Sequence, residues 1–328
     1  MVLILSDYEM DETTALVMDW LEHLGVPYKR VNGRDLVNHS TFTINCGDHT
    51  LQLENESFSI PDIDEISKVW NRKWLDGDLV QNIPWPEEPS DELVDNVKDH
   101  IYGEFAGISR YFFKRLKEKE WLTQPPTARQ NHHKLDQLDV AKRVGLSIPE
   151  TIITNTKESL YHFVRKHGNI ISKSISNALI GPVKEDVYMA YTIMLDEPQV
   201  DELPDRFYPS LFQQAVEKEF EIRTFYLHGE CYSMAMFSQG DEQTKEDFRQ
   251  YNFEKPNRFV PFNLPPAIAK KCDAFMQEFG LNCGSLDLIR TPQNEYYFLE
   301  VNPTGQFGMV SFPCNYHLEE KVAEVLAQ

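Results

Sequence analysis

The chain has 328 residues, of which 41% are hydrophobic and 26% charged. That composition is ordinary for a globular protein of roughly two or three domains, and it excludes disordered and fibrous classes. A formal net charge of −20 with no long basic run argues against nucleic acid and anionic membrane as partners.

Residues 2–5 read as a buried strand. Residues 11–24 read as an amphipathic helix, with Leu16, Trp20, Leu21 and Leu24 at helical spacing and Gly25 as its stop. A strand at 28–31 completes a β-α-β opening, which predicts a small parallel α/β unit. It lacks a GxGxxG turn, so no dinucleotide site is assigned to it. Residues 41–46 and 50–53 flank Gly47-Asp48 as a hairpin. Residues 69–74 read as a strand end, where Arg72 is either a surface charge or an anion ligand facing a cleft. A long helix fills 90–120, and Pro125-Pro126 is the clearest linker signal.

A second α/β section follows. It has a helix at 131–144 stopped by Gly145, a strand at 151–154, a helix at 158–166, and strands at 169–174 and 187–195. An acidic, proline-bearing connection spans 198–209. The third section starts at Leu211, with strands at 211–216, 220–227 and 231–237. A polar segment at 238–258 leads to a helix at 266–279, a hairpin, and a closing helix at 319–326.

The five cysteines are scattered, odd in number and without a CxxC pair. Reduced thiols and a cytoplasmic location are therefore expected. The opening MVLILSDYEMDE does not read as a signal peptide. No apolar run approaches the ~20 residues of a membrane helix.

The hairpin is the most informative stretch. Strands at 285–289 and 296–301 are joined by Pro292-Gln293-Asn294-Glu295. A turn centred between Gln293 and Asn294 sets Asp287 directly opposite Glu300, and Asn302 shares that face if the strand continues. Two facing carboxylates repel unless a cation joins them, and with an amide oxygen they suit Mg²⁺. A plain hairpin ending in a polar turn is the alternative.

Lys173 sits late in an apolar strand, where it either meets an anion or reaches solvent. The small polar residues after it, then Gly181, can form a mobile loop over phosphates. Lys134 opens its helix, where the dipole disfavours a cation unless a phosphate is near; a surface lysine is the alternative. Residues 211–216 can present a strand edge to a purine. Glu221 and Arg223 share a strand face, suiting either a ribose and a phosphate or a cross-strand ion pair. Arg249, in Asp247-Phe248-Arg249, can neutralise a phosphoryl group or orient a carboxylate. There is no HExxH and no GxSxG. Adjacent His132 and His133 have poor metal spacing and read as surface residues.

Taken in order, these pieces resemble the ATP-grasp ligases. The carriers are Lys134 before Val144-Gly145-Leu146-Ser147-Ile148-Pro149, Lys173, residues 213–216 leading to Glu221-Ile222-Arg223, Asp247-Phe248-Arg249, and Asp287 with Glu300-Val301-Asn302-Pro303. Val69-Trp70-Asn71-Arg72 and Asn302-Pro303-Thr304-Gly305-Gln306-Phe307 are similar to one branch, the maturases of graspetides, including the grasp-with-spasm group. Many members of that branch read Trp-Tyr-Arg-Arg near Trp70, where Asn71-Arg72-Lys73 stands here.

The resemblance implies an α/β ATP-grasp fold. Residues 1–125 would be an N-terminal α/β domain, 126–210 a central lid and 211–328 a C-terminal antiparallel-sheet domain. It implies that Lys134 and Lys173 hold ATP phosphates, Gln213, Gln214 and Val216 the adenine, and Glu221 the ribose. Asp287, Glu300 and Asn302 would hold two Mg²⁺, with Arg223 and Arg249 catalytic and Arg72, Asp247 and Gln306 near substrate. The implied reaction is ATP-dependent macrocyclisation of a precursor peptide with leader and core, through an ester or an amide; a homodimer is the expected assembly. Two alternatives stand beside it: another carboxylate–amine ligase, and a non-catalytic nucleotide-binding module for peptides.

Overall fold

An apolar run with no polar interruption suits a parallel strand covered on both faces, and β1 (Val2–Ser6) is buried throughout. In the computed structural model, residues 1–7, 11–33, 40–45, 50–55, 59–60, 63–74, 85, 88–126, 133–176, 180–183, 186–189, 192–239 and 257–328 are described. They fall into two units: 1–130 with 317–328, and 131–316.

In the first unit, β1 leads to α1 (Glu12–His23), which stops at Gly25 with φ of +69°. β2 (Tyr28–Asn32) lies parallel to β1. β3 (Ser40–Asn45) and β4 (Thr50–Asn55) pair antiparallel, with β5 (Ser59–Ile60) beside β4. The Gly47-Asp48 turn expected between them lies outside the described residues. β6 (Lys68–Asn71) is parallel to β1 on its other side. The Ser90 hydroxyl caps α2 (Asp91–Arg115) by accepting from Leu93 N–H at 3.3 Å. β7 (Glu120–Leu122) completes the order β2-β1-β6-β7. Phe105, Phe112, Phe113 and Leu116 of this helical stretch pack against Leu3, Leu5 and Val69.

Arg72 closes β6 at 3% exposure. Its guanidinium lies 3.2 Å from Asp11 Oδ2 and donates to Thr13 Oγ1 at 3.3 Å. A buried guanidinium needs a counter-charge, and this one has it within its own unit. In this arrangement Arg72 pins α1 to the sheet.

The second unit opens with α3 (Lys134–Arg143), ended by Gly145 at φ +81°. His132, expected within this helix, lies outside the described residues. Next come β8 (Thr151–Thr156), α4 (Lys157–His167), β9 (Ile170–Lys173), β10 (Ile180–Val183), β11 (Asp186–Met189), β12 (Ile193–Leu195), α5 (Glu197–Asp201) and β13 (Arg206–Gln214). β10 and β11 form a separate hairpin, and the others make a sheet ordered β12-β9-β13-β8. The single strand expected at 187–195 is two strands in two sheets. The connection expected at 198–209 is helix and strand. Asp196 and Gln199 form a reciprocal capping box that starts α5. β13 belongs with this sheet, so the third section begins after it and not at Leu211.

A second sheet follows: β14 (Phe220–Leu227), β15 (Glu230–Phe237), β16 (Arg258–Phe262), then α6 (Pro266–Glu278), β17 (Cys283–Arg290) and β18 (Tyr296–Asn302). Its order is β16-β15-β14-β17-β18, antiparallel throughout. Phe220, Ile222, Tyr226, Leu286, Leu288, Phe298 and Val301 turn one face towards Val140 and Ala141 of α3 and Phe275 and Met276 of α6. α7 (Gly308–Cys314) follows β18. The last helix, α8 (Leu318–Ala327), packs on α1, and Lys68 Nζ of the first unit donates to its Val325 C=O at 2.9 Å. Among the described residues, no helix is long and apolar enough to cross a membrane.

Candidate active site

The face of the β14–β18 sheet away from α3 and α6 carries the expected ligands. Strand alternation alone does not put them there. Near the turn Leu288 pairs with Phe298; beyond it Asp287 pairs with Glu300, Leu286 with Val301 and Ser285 with Asn302. Leu299 is therefore an extra residue, a β-bulge. It reverses the facing of β18, so that Phe298 and Val301 both reach the core while Glu300 and Asn302 turn to the other side. Without it, Leu299 would stand opposite Asp287.

Arg223 on β14 pairs with Asp287 on β17. Its Nη1 donates to Asp287 Oδ1 at 2.6 Å and Oδ2 at 2.5 Å. Lys134 Nζ lies 3.2 Å from Glu300 Oε2 and donates to Ser174 C=O at 3.0 Å. Burial pulls the Glu300 carboxyl upward. The charges of Lys134, Lys173 and Arg223 outweigh it and hold the carboxyl below its ordinary range. Three cations thus surround two carboxylates, a balance suited to an anion that arrives with its own cation.

The two glutamines separate in the structure, and the strand-end lysine keeps to the face of one of them. Phe212 of β13 packs with Leu160, Phe163 and Val164 of α4. Alternation sends Leu211 and Gln213 to the opposite face, where Lys173 pairs across from Leu211. Gln213 is fully buried and its Nε2 donates to Thr151 Oγ1 at 2.8 Å. Gln214 faces the other way, and its backbone N–H is taken by Glu150 C=O at 2.8 Å. Val216 lies past the strand. Glu221 shares the Arg223 face, as expected, and is ion-paired with Lys218. Asp247 and Arg249 lie outside the described residues.

Among the described residues, Gln213 Oε1, Arg223 Nε and Ser285 Oγ are buried without a hydrogen-bond partner. Such groups are costly unless something satisfies them. For a metal, the donors at hand are the oxygens of Asp287, Glu300 and Asn302. Asn302 Oδ1 is oriented by Thr304 N–H at 3.1 Å. This hard-oxygen set fits Mg²⁺. No cluster of three His, Cys, Asp or Glu occurs among the described residues. Burial pushes the thiols of Cys231 and Cys272 up to about 12, which leaves them protonated and poor nucleophiles.

Sequence reasoning read Gly305 and Phe307 only as parts of a motif and gave Ser285 no role beyond opening a strand. Phe307 is 2% exposed and packs its ring 4.8 Å from that of Phe225, two residues beyond Arg223. Exposed Gln306 stands beside it. Gly305 N–H donates to Asn302 C=O at 3.0 Å. A Cβ on Gly305 would lie 2.5 Å from Ser285 Cβ and 3.0 Å from that carbonyl. Gly305→Ala is expected to lower stability by about 1–3 kcal/mol through overpacking. It should also displace Asn302, so thermal melting and product formation should fall together.

No family model matches the sequence, and no curated protein matches it. Solved structures do. An ATP-grasp ligase associated with ribosomally synthesised, modified peptides, from Chryseobacterium gregarium and in complex with ADP and a leader and core peptide, superposes with a TM-score of 0.84 at 23% identity, covering 99% of this chain and 96% of that one. The macrocyclase MdnC of Microcystis aeruginosa, bound with precursor peptide MdnA, gives 0.81 at 25% identity over 99% of each chain. The macrocyclase MdnB of the same organism gives 0.79 at 24%, over 99% of this chain and 98% of that one. Over nearly its whole length, the chain has the ATP-grasp fold.

Proposed function

We propose that the chain is an ATP-dependent ligase that macrocyclises a ribosomally made precursor peptide. The observation that carries this reading is the cluster of Asp287, Glu300 and Asn302 with Lys134, Lys173 and Arg223. It is set in a fold shared, at 25% identity, with a macrocyclase bound to its precursor. A side-chain carboxylate of the peptide takes the γ-phosphoryl group of ATP, releasing ADP. A hydroxyl or lysine amine of the same peptide then displaces phosphate, closing an ester or amide ring.

Bringing a carboxylate to a phosphate places anions together. Lys134 and Lys173 would hold the phosphates, and Gln213 would offer its unpartnered Oε1 towards the base. Gln214 and Val216 would add only backbone groups there, and Glu221 would take the ribose. Asp287, Glu300 and Asn302 would hold Mg²⁺, two ions in our reading, which supplies charge neutralisation when bound. Arg223 and Arg249 are proposed to orient the reacting carboxylate and phosphoryl oxygens, with Asp247 and Gln306 bordering the peptide. The same proposal takes the enzyme as a cytoplasmic homodimer whose substrate carries leader and core.

The decisive experiment combines the protein, ATP, Mg²⁺ and the peptide encoded beside its gene, followed by mass measurement. Loss of one water per ring is expected. Gain of an amino-acid residue would point to a small-acid ligase, and an unchanged mass with the peptide bound to a recognition module; either overturns the proposal.

A further inference from the structure

β18 is the outer strand of its sheet. Alternate residues therefore turn their N–H and C=O groups away from the ladder, and an edge of that kind needs cover. Phe298 N–H is taken by Ser147 C=O at 2.8 Å. Val301 is covered by a single side chain. Gln137 Nε2 donates to Val301 C=O at 3.1 Å, and Val301 N–H donates to Gln137 Oε1 at 2.8 Å. Both residues are buried. The amide thus pairs with Val301 as a neighbouring strand would.

Val301 stands between Glu300 and Asn302. Gln137 lies three residues after Lys134 on α3, so the two share one helix face. One turn of α3 therefore brings a cation to the Glu300 carboxylate and an amide to the backbone just behind it. The Leu299 bulge breaks the β17–β18 ladder immediately before this point, where pairing alone holds the strand least firmly.

We propose that Gln137 is a positioning residue for the metal ligands. It fixes β18 just past the bulge, so that Glu300 and Asn302 hold the orientation a divalent cation requires. This inference rests on the metal reading given above. Glutamine is specifically suited to the position, because the contact needs one donor and one acceptor at once. A carboxylate supplies only the acceptor, and an aliphatic side chain supplies neither.

The test is direct Mn²⁺ binding to the full chain in the presence of ADP, read by electron paramagnetic resonance. Thermal melting without metal or nucleotide serves as the control. Gln137→Leu is expected to weaken Mn²⁺ binding at least about tenfold, the usual scale for losing a residue that orients a metal ligand. Gln137→Glu should weaken it comparably at neutral pH. As the pH falls, that substituted carboxyl gains a proton and can donate to Val301 C=O again. Its Mn²⁺ affinity, taken relative to the native protein at the same pH, should then recover. A lowered melting temperature with native Mn²⁺ affinity would mean that the amide only supports the fold, and would overturn the inference. So would the absence of acid recovery in Gln137→Glu, which carries the test alone if Gln137→Leu does not fold. Failure of the native chain to bind Mn²⁺ with ADP would overturn the metal reading itself, a result distinct from a native site indifferent to Gln137.

Discussion

Glu300→Gln is expected to stop ring closure while leaving precursor binding close to native. The substitution keeps the size of the side chain and one oxygen, and removes the charge. Lys134, 3.2 Å away, loses its counter-ion. The local balance moves from three cations against two carboxylates to three against one. A phosphate still finds its cations, but a divalent ion loses one of its two charged ligands. Charge stabilisation by a bound metal contributes several kcal/mol to such transition states, and about 4 kcal/mol corresponds to about a thousandfold in rate. Mass measurement of the product reads the rate, and anisotropy of a labelled precursor reads binding. Full activity in this variant would sink the metal assignment.

Lys134→Met should be nearly as damaging, and it carries a distinct pH signature. Lys134 joins Glu300 on one side to Ser174 C=O on the other, so it ties the hairpin to the end of β9. We expect kcat/KM for ATP to fall by about a hundredfold, the scale of one lost charge-assisted donor in an active site. The pH effect has a definite sign. Burial raises the Glu300 pKa, and Lys134 leads the cations that lower it below the usual 4.5. Ionised Glu300 thus adds stability above that value, and the contribution is lost as pH falls through the depressed folded pKa. Removing Lys134 shrinks this contribution. Thermal melting across the acid range should therefore show a smaller acid-induced drop assignable to Glu300 in Lys134→Met than in the native chain. An unchanged pH profile would argue against Lys134 as the main counter-charge.

Much of this site was legible in the sequence. The pairing of Asp287 with Glu300 follows from the hairpin, and the shared face of Glu221 and Arg223 follows from strand alternation. Both depend on contacts close along the chain or on a short turn. The turn is nevertheless centred on Gln293, so the register beside it is one residue off the expected one, and the bulge restores the pairing further along. What escaped depends on contacts between distant segments. Gln137 acquires its role only when α3 docks on β18, 164 positions later. The three-residue spacing from Lys134 was the available signal. The resemblance assigns both Gln213 and Gln214 to adenine, yet alternation along β13 places their side chains on opposite faces. α7 begins at a glycine and contains Pro313, so it has neither strong propensity nor a clear periodicity. β16 follows a polar tract and is held mainly by β15.

The extra residue in β18 also bears on how this hairpin can vary. Between the turn and Leu299 the strand turns Phe298 into the hydrophobic interior. Beyond Leu299 it answers to charge. The one-residue phase slip separates these duties along a single strand, and Gln137 and Gly305 anchor the second part independently of the first. Sequence drift near the Thr291–Glu295 turn can therefore be absorbed without disturbing the chemistry. Drawing Leu299 into a regular ladder cannot be absorbed: it would set an aliphatic side chain opposite Asp287 and turn Glu300 inward.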